Sequence, residues 1–228
     1  MSLSNPRQIN PAKKFIEWSG SKGKFYYYDK EKNENVYFED TIYIVPLDEL
    51  STIKGYHDQS KSGIYSNEVK NISKEKLVVK AFKGGLIASG LYSEIKGQLE
   101  GGKFAKSVYA VMISGNKENT SLEIVNFQIH GSAMGSWIDA KINVDSGDVI
   151  SLSPSTEELK KGTTVYFSPG IKKYKKRDDI LEKCISMDKE LQDYLAGYFS
   201  KPATENEEAT EVKVNDMPEI TEEDDLPF

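Results

Sequence analysis

Lys106-Ser107-Val108-Tyr109-Ala110-Val111-Met112-Ile113-Ser114 and, shortly after it, Ser121-Leu122-Glu123-Ile124-Val125-Asn126-Phe127-Gln128-Ile129-His130 decide the fold class. Both runs are dense in β-branched and aromatic residues and are punctuated by Gly, Asn and Ser, the signature of strands. Working outward, similar runs recur at Lys24 to Asp29, Asn35 to Leu47, Lys76 to Phe82, Val149 to Leu152 and Thr163 to Ser168. Helices are expected at Leu86 to Leu99 and at Asp178 to Phe199. In the latter, Leu181, Cys184, Ile185, Leu191, Leu195 and Phe199 fall on one face at helical spacing, with Asp178 or Asp179 placed to cap the start. Asp188 interrupts that stripe without outweighing it. Past Pro202 the periodicity stops and the composition is that of a disordered segment. The expected class is mainly β with appended helices (α+β).

The chain has 228 residues and 38% hydrophobic content, enough for one sizeable core. The expected organisation is one domain over residues 1–200, including the C-terminal helix, and a disordered acidic tail over residues 201–228. Cys184 is the single cysteine, which excludes an intramolecular disulfide and suits a reducing compartment. No apolar run approaches the roughly 20 residues that span a bilayer, and Met1 to Lys14 lacks a signal-peptide core. The expectation is a soluble cytoplasmic protein without membrane contact, in the host cytoplasm if the protein is viral.

The net charge of −6 hides two opposite segments. From Ala203 to Phe228 there are ten Asp or Glu and one Lys, giving −9; removing these from 36 acids and 30 bases leaves 26 and 29, so residues 1–202 carry +3. A mildly basic body with an acidic tail is the asymmetry of a nucleic-acid binder with a regulatory or partner-binding tail.

Single-strand binding needs flat side chains on which unpaired bases stack, interleaved with cations that follow the phosphates. Trp18, Lys22, Lys24, Phe25, Tyr26, Tyr27 and Tyr28 place five aromatics and two lysines in eleven positions. In a strand from Phe25 to Tyr28 alternate rings face opposite sides, so one pair fills the core while the other faces out. Core packing is the commoner fate of any single aromatic; Trp18, beside the turn marked by Gly20 and Gly23, is expected outside with two of the four rings. Lys80, Phe82 and Lys83, and then Phe104 and Lys106, repeat the interleaving on a smaller scale. Lys172, Lys173, Tyr174, Lys175, Lys176 and Arg177 form the densest basic run, which reads as a DNA contact, as a solvated loop, or as a place where the acidic tail folds back. Trp137, after the small residues Gly131 to Gly135, reads as core.

The chain ends Asp224-Asp225-Leu226-Pro227-Phe228. Phe228 offers an apolar ring and a terminal carboxylate together, Pro227 biases Leu226 toward an extended conformation, and the acids steer the tip toward basic patches. This ending resembles the acidic tip of the bacterial single-stranded DNA-binding proteins, D-D-[I/L]-P-F, at all five positions. The resemblance implies that Asp224, Asp225, Leu226, Pro227 and Phe228 dock partner proteins of replication and recombination. The body is longer than the family's single OB domain and the linker is Glu/Thr-rich rather than Gly/Gln-rich, so the plan looks more like the bacteriophage-type proteins, and the number of copies stays open. The strand count with an interposed helix fits an OB-like partly open barrel plus a C-terminal helix, although a sandwich gives much the same pattern; the family analogy favours the former.

Enzymatic readings find little support. Gly97 to Lys103 fits G-x-x-x-x-G-K, but Phe104 stands where a magnesium-binding Ser or Thr belongs. His57 and His130 lack partners at metal-ligand spacing, and Cys184 lies on an apolar face. Asp29, Glu31, Asp48 and Glu49 have no diagnostic spacing for a nuclease metal. The expectation is a non-catalytic protein without cofactor or metal that binds single-stranded DNA regardless of sequence. An annealing or recombination mediator protein is the alternative; an adaptor using the tip alone and a metal-dependent nuclease rank below it.

Overall fold

The fold is described from a computed structural model, over residues 9–115 and 119–201. Eleven strands share one sheet: β1 (Phe15–Ser19), β2 (Lys24–Asp29), β3 (Glu34–Tyr37), β4 (Ile42–His57), β5 (Ser62–Ser66), β6 (Leu77–Ala81), β7 (Gly85–Gly90), β8 (Gly102–Gly115), β9 (Thr120–Ile129), β10 (Val149–Ser153) and β13 (Gly170–Tyr174). The short β11 (Leu159–Lys161) and β12 (Thr164–Tyr166) pair with each other. Three α-helices accompany them: α1 (Tyr92–Ile95), α2 (Gly131–Asp139) and α3 (Asp178–Phe199). The protein is therefore mainly β with a C-terminal helix, and no helix among the described residues is long and apolar enough to cross a membrane.

The sheet runs β3-β2-β1-β9-β8-β4-β5-β6-β7 and is open. All its pairings are antiparallel except β1 with β9. β4 is long enough to serve two neighbours on one side: its start pairs with β10 and its end with β5, while β8 runs along the other side. The pleat assigns each face. Ile16, Trp18, Phe25, Ile42, Ile44, Val108, Ala110, Met112, Val125 and Phe127 point to one side and form a cluster closed by Ala133 and Trp137 of α2. On that same side Ile53, Ile64, Leu77, Val79 and Ala88 form a second cluster with Ile95 and Leu99.

The opposite, outer face carries Tyr109, Val111 and Val45, and α3 lies against it through Ile180, Cys184, Leu191 and Leu195. β8 is thus buried on both faces, which is why its sequence is a continuous apolar run instead of an alternation. Helix α3 has the expected bounds, but its N-cap is Arg177 and not Asp178 or Asp179, which lie inside the first turn, where the helix dipole favours acids. Ile185, however, is 65% exposed, because Ile180, one turn before Cys184, takes its place on the buried stripe.

Several expectations need correction. Residues 86–99 are not one helix: β7 occupies the first part, and only the short α1 and a 3-10 turn at Lys96–Gln98 follow. Gly85, at φ +76°, reverses the chain so that Leu86 to Gly90 pair with β6. The single strand expected over Asn35 to Leu47 is two, broken at residues 38–41, and the second continues to His57. β1, β5, β11 and β13 were not anticipated, nor was α2. The segment Gly97 to Lys103 passes from the 3-10 turn into a strand, so no helix N-terminus faces it. The tail and its tip, residues 202–228, lie outside the described residues.

Candidate nucleic-acid interface

Pairing register strings the outward side chains of β3, β2, β1, β9 and β8 into one row: Tyr37, Tyr26, Glu17, Gln128 and Ser107. Tyr28 and Lys24 flank Tyr26 on the same face of β2, while Phe25 and Tyr27 turn inward. The expected split of the Phe25 to Tyr28 rings is therefore present. Phe25 is in the core and Tyr27 packs against it. Tyr26 and Tyr37 approach at 5.5 Å between ring centroids. Lys22 lies 4.4 Å over the Tyr37 ring and donates to its hydroxyl at 2.8 Å. Lys24 pairs with Glu39 at 2.5 Å, and the Tyr28 hydroxyl donates to Asn33. Tyr26 is itself covered, at 9% exposure, which leaves the half-buried Tyr28 and Tyr37, the latter beneath the Lys22 ammonium, as the rings of this face nearest solvent.

Trp18 does not belong to this face. Register sets it opposite Phe25, and the two rings meet edge-on at 4.8 Å inside the first core cluster. Its Nε1–H donates to Ser132 Oγ and to the Phe167 carbonyl, each at 3.1 Å. Buried at 5% exposure with its polar edge engaged, Trp18 is a core residue and not a stacking platform. Phe25 is corrected for the same reason. Trp137 is core as expected, its Nε1–H donating to Glu49 at 2.8 Å.

A second row crosses the other end of the same outer face: Lys103, Lys54, Tyr65, Lys80 and Leu86 on β8, β4, β5, β6 and β7. Phe82 continues the parity of Lys80 and stacks on Tyr65, and Lys83 is exposed on the following turn. Sequence reasoning missed Lys54, Tyr65 and Lys103; only strand pairing shows that they share a face. Phe104 and Lys106 lie on the opposite face, Phe104 beside Tyr92 and Lys106 paired with Glu49. The run Lys172 to Arg177 is exposed on β13 and at the start of α3. Lys172 shares a row with Ser151, Tyr43 and Ile113, at the end of the outer face where α3 begins, so register does not join it to the row of Tyr37 and Tyr26.

Between the two rows lies Glu17. Its Oε1 is 3.7 Å from Lys54 Nζ, its Oε2 accepts from the Tyr26 hydroxyl at 3.1 Å, and His130 Nε2 is 3.8 Å away. Burial pushes the Glu17 carboxyl up, but Lys54, His130 and Tyr26 together outweigh it and hold the group at about 2. In a flat sheet Glu17 and Lys54 would stand about 14 Å apart across three strand spacings and about 13 Å apart along the strands. Their contact means the β4–β8 ribbon bends toward the outer face. Gly55 and Gly101 permit the bend: a Cβ on either would come within 2.2 Å of backbone oxygen, on Gly101 and Tyr56 respectively. Near Glu17, Gln128 Oε1 and His130 Nε2 are buried without a hydrogen-bond partner. Further along, Glu68 accepts from the Ser107 and Tyr109 hydroxyls, and burial raises its carboxyl.

Other chemistry-bearing residues serve structure. His57 Nδ1 meets Ser60 Oγ at 2.6 Å and its Nε2 meets Glu100 at 2.7 Å, tying two turns to β4. A Cβ on Gly84 would sit 3.0 Å from Ser60 Oγ and 3.1 Å from His57 Nδ1, so the next turn already fills the space in front of that serine. Burial, with Asp188, raises the Cys184 thiol to about 11, which leaves little thiolate at neutral pH. Among the described residues no cluster of three or more His, Cys, Asp or Glu is placed to hold a metal. Comparison with protein-family models, with curated proteins and with solved structures returned no match.

Proposed function

We propose that this protein is a non-catalytic, sequence-indifferent single-stranded DNA-binding protein. One observation carries the reading: Tyr26, Tyr28 and Tyr37 share a sheet face with Lys22 and Lys24, beside the stretch occupied by α3. A base stacking on Tyr37 displaces the Lys22 cation, a contact worth about 0.5–1 kcal/mol at an exposed site. The stacked base returns about 1–3 kcal/mol, more than the contact it replaces.

The finer fold reading, an OB-like partly open barrel, draws support from the way β3-β2-β1-β9-β8-β4-β10-β13 surrounds the first apolar cluster. Two backbone bonds draw the segment between β10 and β13 against the β1–β2 turn, Ser155 N–H to the Gly23 carbonyl at 2.9 Å and Phe167 N–H to the Gly20 carbonyl at 2.8 Å. The proposal places the protein in the cytoplasm, with the Asp224 to Phe228 tip recruiting replication or recombination proteins.

The test is titration of labelled oligo-dT with Tyr37→Ala and Tyr28→Ala, with folding checked by circular dichroism. Each change is expected to weaken binding roughly fivefold or more, as for the loss of one stacked base. Unchanged affinity in both variants would remove this face from the site.

A further inference from the structure

We infer that Tyr65 and Phe82 form a second stacking station for unpaired bases, so that one strand of several nucleotides is held at two places on the outer face. The inference rests on the single-strand reading and adds to it a part of the site on different strands. Tyr65 and Phe82 stack at 4.5 Å with 23° between planes. The core pairs are edge-on, 64° for Trp18 with Phe25 and 87° for Phe25 with Phe127. A near-parallel pair on a sheet face extends naturally by one more flat ring. Both side chains are half-buried; Lys54 and Lys80 stand opposite Tyr65 in register, but Lys54 is held by Glu17 and Lys80 is buried at 9% exposure, which corrects it as a phosphate contact, and the exposed cation of the station is Lys83, which follows Phe82.

The station is also preorganised. Lys83 N–H donates to Ser62 Oγ at 3.0 Å, Ser62 Oγ meets Ser60 Oγ at 2.8 Å, and Ser60 is bound to the buried His57. The turn that presents Phe82 is thereby locked to the turn before Tyr65, which lowers the ordering cost of binding. Glu17 separates the two stations. Its carboxylate, paired with Lys54, disfavours phosphate there, so the strand crosses with its backbone toward the exposed Lys83. In a flat sheet the stations on β2 and β5 would stand about 24 Å apart across five strand spacings and about 13 Å apart along the strands, about 27 Å in all. At about 3.4 Å per nucleotide that distance corresponds to roughly eight nucleotides, and the bend that joins Glu17 to Lys54 brings it down.

The experiment is anisotropy competition with dT3, dT5, dT7 and dT10, using the full chain and the variants Phe82→Leu, Tyr65→Leu and Tyr37→Ala. Leucine keeps apolar volume and removes the ring. The expected result is an affinity that climbs steeply between dT3 and dT7 in the unaltered protein. Phe82→Leu should flatten that climb, binding dT10 at least fivefold more weakly while binding dT3 within twofold of the unaltered protein. If Phe82→Leu and Tyr65→Leu bind dT10 normally while Tyr37→Ala does not, the second station is refuted and the single-strand reading stands. If the unaltered protein binds no oligonucleotide, both fall.

Discussion

Glu17 sits under Tyr26, within reach of Lys54 and His130, and is ionised at any ordinary pH because its carboxyl is held at about 2 against an ordinary 4.5. A depressed carboxyl stabilises the folded state fully above its unfolded value and loses that contribution as pH falls through the folded one. At about 1.4 kcal/mol per unit the contribution is on the order of 3 kcal/mol. Glu17→Gln is therefore expected to lower stability by up to about 3 kcal/mol at pH 7, and the gap to the unaltered protein should close between pH 4.5 and 2. Urea unfolding at several pH values reads this directly; a gap constant down to pH 2 would contradict the ion-pair account. Glu68, raised by burial, acts in the opposite sense and costs stability as pH rises through its folded value. At this scale the sequence showed that Phe25 to Tyr28 must divide between two faces, because a strand alternates. It did not show which way Trp18 points, since that is set by its pairing with Phe25 and by the Ser132 and Phe167 oxygens, over a hundred residues away along the chain.

Helix α3 was legible to the residue at both ends because twenty-two positions sustain one periodicity. β7 was not. Leu86-Ile87-Ala88 is a short apolar run whose period is ambiguous, and what makes it a strand is the ladder to β6. The basic run was visible, but its element was not: Lys172 to Tyr174 belong to an edge strand paired with β10, where lysines protect an open edge from pairing with other chains. That placement separates it from the tyrosine rows. Changing Lys172, Lys173, Lys175 and Lys176 together to Gln is expected to change oligo-dT affinity at moderate salt by less than about threefold, whereas Lys22→Gln with Lys24→Gln should flatten the salt dependence by nearly two phosphate contacts. The reverse pattern in a salt titration would move the site to β13.

Across the whole molecule, a body of +3 is joined to a segment of −9 that ends in Leu226-Pro227-Phe228. The proposed competition of those carboxylates with phosphate for the lysines of the outer face weakens as salt screens it. Removing residues 205–228 is expected to tighten oligo-dT binding at low salt and to abolish partner recruitment; equal affinity with and without them would refute the competition. The measurement that bears most directly on the central claim is fluorescence anisotropy of a labelled oligo-dT against a matched duplex, at low and moderate salt. The account predicts tight, salt-sensitive binding to the single strand and weak binding to the duplex. Absence of binding to either, or equal binding to both, would contradict it.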